Sequence, residues 1–76
     1  MGCSLELLKT GEQGIVTVCK TQDEIIRKKL ISMGIKTGTQ VLVEQQFPTF
    51  VIKVSNLPMT IERDIVLAIY VRVVEG

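Results

Sequence analysis

The chain has 76 residues, 46% of them hydrophobic, with a net charge of +1 and no His. That length holds a single domain, 1–76, with little room for a deep catalytic cleft, and the apolar content excludes a disordered chain. The near-neutral charge excludes the basic track of a non-specific nucleic-acid binder, and no apolar run approaches the ~20 residues a membrane span needs.

Leu5 and Leu8 are spaced to pack on one side of a short opening segment over 4–9. Gly11 and Gly14 bracket a turn and are both available for positive φ. Residues 15–19, Ile-Val-Thr-Val-Cys, are β-branched and predict a first strand. Thr21 then stands three residues before Glu24, the spacing of a capping box, so Thr21 is expected to cap a helix. Ile26, Leu30 and Met33 recur at i, i+4, i+7 and define its buried stripe, and Gly34 stands where a left-handed residue ends it. Ile31 lies about 100° or more from that stripe. The expectation is that Leu5 or Leu8 covers it.

Residues 35–39 read as a turn that uses Gly38, and Val41 and Val43 alternate with polar or outward positions as a half-buried strand. Residues 45–49 form a hairpin connection in which Pro48 cannot belong to a central strand. Phe50, Ile52 and Val54 share one face of the returning strand. Asn56 opens another turn, closed by Pro58; residues 59–61 make a short strand and 63–68 one helical turn. Ile69, Val71 and Val73 share one face of the last strand. The pattern is mostly β, with about five short strands and one α-helix inserted after the first strand. Closing such a sheet into a small barrel removes its exposed edges.

Chemistry is scarce. Without His the chain lacks the commonest general base and the commonest transition-metal ligand. No Cys-x-x-Cys pair, phosphate-binding loop or dinucleotide fingerprint occurs. Cys3 and Cys19 read as free thiols of a reducing compartment. No secretory signal is visible, and Glu6 stands where N-myristoylation needs Ser or Thr. The expectation is a cytoplasmic, non-catalytic protein with no cofactor, no metal, no nucleic acid and no direct membrane insertion. Binding surfaces remain. Phe47-Pro48-Thr49-Phe50 carries both phenylalanines of the chain at one hairpin tip. Phe50 is expected to anchor in the core. Elimination leaves Phe47 and Ile31 as large apolar groups without an assigned core role. Phe47 and Pro48 are thus the first candidate contact, and Arg27 with Ile31 the second.

The run from Leu30-Ile31-Ser32-Met33-Gly34 through Ile35-Lys36-Thr37-Gly38-Thr39-Gln40-Val41 resembles the helix-to-strand junction of the FeoA family. These are small cytoplasmic accessory proteins of bacterial ferrous-iron transport. Leu5, Leu8, Gly11 and Gly14 match the opening of that family, and 61–71, with Ile69-Tyr70-Val71, its closing motif. Lys29 stands where the family often has Arg, and Val66 where it often has Ala. The resemblance implies an SH3-like barrel that supports or regulates the FeoB-type transporter, a membrane ferrous-iron transporter with a GTP-binding domain. It does not imply that the chain binds iron. The alternative is an SH3-type peptide-binding module with an unrelated client, for which one Tyr, two Phe and no Trp supply few groove aromatics. A small barrel with apolar edges also has the capacity for self-association.

Overall fold

A computed structural model describes residues 2–75. Six strands form one antiparallel sheet: β1 (Cys3–Ser4), β2 (Gln13–Cys19), β3 (Gln40–Gln45), β4 (Phe50–Val54), β5 (Leu57–Ile61) and β6 (Ile69–Val74). A 3-10 turn, Leu5–Leu7, follows β1. Helix α1 (Glu24–Ser32) joins β2 to β3, and α2 (Arg63–Ala68) joins β5 to β6. The strand order is β1-β6-β2-β3-β4-β5. The ladder is therefore open between β1 and β5, and the mostly β, SH3-like architecture carries two edges. One edge strand has only two residues. The other carries Pro58, which cannot donate to a further strand. The strand missed by the sequence reading is β1, too short to show any alternation.

The alternating positions named above do build the core. Val41, Val43, Ile52, Val54, Ile69 and Val71 are buried, together with Leu5, Leu8 and Leu30. Val73 departs from the expected burial and is 37% exposed near the end of β6, where its partner on β2 is Gly14. A register shift against β6 between Val16 and Val18 leaves Thr17 as the extra residue of β2. The bulge turns Val18 outward, to 38% exposure, so the β-branched run buries only Val16 fully.

The start of α1 differs from the capping box. Its cap is Asp23, whose side chain accepts from the Ile25 N–H at 2.8 Å. Thr21 Oγ1 instead accepts from the Asp23 N–H at 3.0 Å, one step earlier. Two oxygen-bearing side chains compete here, and only the one immediately before the helix can reach the N–H of the second helical residue. The end of α1 follows the sequence. Gly34 has φ +75°, its N–H bonds to the Ile31 carbonyl, and the Ile35 N–H bonds to the Leu30 carbonyl at 2.9 Å. This is the paired bonding of a Schellman cap, whose hydrophobic contact is supplied by the buried Leu30 and Ile35. Gly38, at φ +93°, then donates to the Val16 carbonyl and leads the chain into β3.

Gly11 takes a positive φ of +93°, as expected, but Gly14 does not. It lies within β2 opposite Val73, and a Cβ there would sit 3.0 Å from the side chain of Val71. Its role is close approach between strands rather than a turn. At the far end of β4, Ser55 and Asn56 have φ values of +53° and +67° and form a two-residue hairpin turn of the primed type. The strand that follows begins at Leu57, earlier than expected, because a proline is tolerated on an edge.

Candidate functional site

The connection between β3 and β4 projects from the sheet as a hairpin tip. The Gln45 side-chain amide donates to the Thr49 carbonyl at 3.0 Å and to its hydroxyl at 3.2 Å, tying the two sides of the tip together. The Gln46 amide donates to the Leu8 carbonyl and fastens the tip to the N-terminal segment. The Phe47–Pro48 peptide bond is cis. Phe47 is 85% exposed, while Phe50 is half-buried and packs on the core, as expected.

The tip stands over a groove of about 710 Å³. Phe47, Pro48 and Phe50 line it from the hairpin, Ile61 and Val66 from the β5–α2 corner, and Glu6 from the 3-10 turn. Glu62 and Arg63 also line it, adding both signs of charge. Arg63 Nη2 lies 3.5 Å from Glu6 Oε2, yet that oxygen makes no hydrogen bond and is itself hidden from solvent. The guanidinium side chain remains 77% exposed. This loose surface pair contributes little to stability, at most ~1 kcal/mol.

The second candidate surface lies apart from the groove. Arg27 is occupied at the start of α1, where Nη2 donates to the Thr21 carbonyl at 2.8 Å and Nε lies 3.6 Å from Glu24. Ile31 is 70% exposed. The expected cover does not exist, because the 3-10 turn that carries Leu5 packs against α2 and β6, and α1 keeps one free face. Lys29 approaches Glu62 to 3.4 Å and is the ion pair that joins α1 to the corner of the groove. Thus Phe47 and Pro48 share one site, and Arg27 and Ile31 do not belong to it.

Elimination by core stripes missed other exposed apolar residues: Leu7, Ile25, Leu57 and Leu67. For Ile25 the signal was present, since it sits about 100° from Ile26 on a helix. Glu6, Arg63 and Val66 were also missed as groove residues. No periodicity could have found them, because they converge from separate segments of the chain.

Among the described residues no group of three His, Cys, Asp or Glu side chains is placed to hold a metal ion. Cys3 and Cys19 are free and half-buried. They pair with Val71 and Ile69 from opposite sides of β6. Burial pushes the Cys19 thiol above its ordinary pKa, which disfavours the thiolate needed for nucleophilic attack or metal ligation. Among the described residues no helix is long and apolar enough to cross a membrane.

Residues 3–73 match the family model described as the FeoA domain. The chain belongs to the FeoA family. A relative from Leptolyngbya boryana, named as a candidate Fe(2+) transport protein A, is 40% identical over 72 residues, covering 93% of this chain and 88% of its own. A crystal structure of an iron uptake regulatory protein (FeoA) superposes with a TM-score of 0.87 at 26% identity, covering 97% of this chain and 99% of that one. The Stenotrophomonas maltophilia FeoA in complex with zinc, described as a prokaryotic SH3 domain protein, has a TM-score of 0.79 at 14% identity, covering 92% and 89%. At that identity it speaks for the fold alone. The mostly β, SH3-like class expected of this FeoA chain is the one it has.

Proposed function

We propose that this FeoA-family chain is a non-catalytic interaction module that supports or regulates ferrous-iron uptake. On this reading it works in the cytoplasm, as one domain, and meets the membrane ferrous-iron transporter that carries a GTP-binding domain. The hairpin tip is its contact, with Phe47 and Pro48 as anchors. The observation that carries this reading is the 85% exposure of Phe47 beside an apolar groove. A large aromatic left in water, next to a depression lined by other apolar groups, is the usual form of an interface anchor. The similarity to a candidate Fe(2+) transport protein A supports the transport context. The exposed face of α1 at Arg27 and Ile31 is the second contact candidate.

The test is capture of the detergent-solubilised transporter by immobilised protein. Phe47→Ala is expected to weaken capture about tenfold, equivalent to ~1.4 kcal/mol, with an unchanged thermal melt. Unfolding of Phe47→Ala would return Phe47 to the core and remove the motive for the tip. Undiminished capture would move the contact elsewhere, and Ile31→Asp would then test the helix face.

A further inference from the structure

We propose that the free face of α1 seats this chain on an anionic lipid surface, with Ile25 and Ile31 entering the headgroup layer and the lysines around them meeting lipid phosphates. Ile25, Lys28 and Ile31 recur at i, i+3, i+6 and so form one exposed row along the helix. Ile25 is 66% exposed and Ile31 70%. Neither belongs to the core, which takes Leu30 from the other side of the helix. An apolar row with a basic residue at its centre is the form of a helix that lies along a membrane surface and does not span it.

The charge of the molecule is divided in the same sense. Residues 20–36, the connection that carries α1, hold five of the nine Lys and Arg but only two of the eight Asp and Glu, a net charge of +3. The rest of the chain is net −2. Glu62, which caps α2 and pairs with Lys29, lowers the local excess to +2. Arg27 and Lys29 have partners in Glu24 and Glu62, yet their side chains keep 51% and 44% exposure. Among the described residues Lys28 and Lys36 have no ion-pair partner, and both are exposed. An ammonium on a flexible stem reaches past the isoleucines to a phosphate while its methylenes lie along the apolar row.

Shape favours a lipid surface over a folded partner. The groove beneath Phe47 takes no residue from α1. The row on α1 is a convex ridge; a lipid layer deforms around a ridge, whereas a protein must supply a groove that matches it. Two unpaired lysines and two isoleucines make a weak contact that salt opposes. Stable attachment to a membrane takes two signals. The hairpin tip lies apart from this face and is left for the transporter proposed above, so the two contacts reinforce each other at one membrane. The lipid contact itself does not rest on that reading.

The experiment uses the full chain and no transporter, so its outcome is independent of the transporter reading. Flotation with phosphatidylcholine vesicles that contain about a third phosphatidylglycerol is expected to carry the protein, and pure phosphatidylcholine vesicles to leave it behind. Raising the salt to about 1 M, where the Debye length is ~3 Å, should release most of it. Lys28→Glu is expected to weaken partitioning about tenfold or more, and Ile25→Ser combined with Ile31→Ser to abolish it, each with an unchanged melt. Phe47→Ala should float like the parent. The chain has no Trp, so the emission of Ile31→Trp reports this face alone and should shift to the blue with the anionic vesicles. No flotation with anionic vesicles, equal flotation with neutral ones, or undiminished flotation of Lys28→Glu would overturn the proposal. So would loss of flotation in Phe47→Ala, which would move the lipid contact to the tip. Retention on immobilised polyglutamate without flotation would assign the face to an acidic protein and overturn it equally.

Discussion

Gly34 holds a backbone position that other residues reach only with strain. Its φ of +75° lets two N–H groups close the end of α1 on the Leu30 and Ile31 carbonyls. A β-branched side chain is poorly tolerated in that region, at a cost of order 1–3 kcal/mol. Gly34→Val is therefore expected to destabilise the fold by at least ~1 kcal/mol, read as a lower thermal midpoint. A melt that overlays the parent would contradict the assigned cap. Gly14 shows a different use of the same residue. It needs no positive φ; it leaves room for Val71, which would lie 3.0 Å from an added Cβ. The first role was legible because Gly34 directly follows an amphipathic stripe. The second was not, because nothing near Gly14 in sequence reports which strand lies beside it.

Helix α1 is specified at both ends by local chemistry, but by a different residue at its start than the spacing suggested. Asp23 satisfies the Ile25 N–H, and Thr21 satisfies Asp23. Asp23→Ala should cost about 1 kcal/mol, and Thr21→Ala measurably less. Chemical denaturation of the two variants checks the order, and a larger loss for Thr21→Ala would restore the capping box. Along the helix the stripe of Ile26, Leu30 and Met33 does face the core, Leu30 buried and the other two packed against it. The opposite face, with Ile25 and Ile31, stays in water because no element crosses it. Periodicity identifies which side of a helix is apolar. It cannot say whether a second layer covers the rest, since that depends on where the N-terminal segment docks.

At the scale of the molecule, Phe47, Pro48 and the apolar groove come together on one surface. The two cysteines lie on strands that flank β6, about 10 Å apart at strand spacing, too far to share an ion held at ~2.3 Å from each sulfur. With no His in the chain, the purified protein should leave gel filtration without a stoichiometric transition metal, as measured by elemental analysis. One iron or zinc per chain, lost on substituting Cys19, would overturn that expectation. Residue order alone determined five of the six strands, both helices, the buried faces of β3 and β4, the end of α1 and the family. Each of these rests on neighbours within a few positions, where side-chain period and backbone freedom act directly. The open edges, the bulge that exposes Val18, the uncovered Ile31 and the groove beneath Phe47 were decided only by the tertiary structure. They depend on which distant segments meet: Glu6, Phe47, Ile61 and Val66 border one groove only once β3 and β4 fold back and α2 packs on the N-terminal turn.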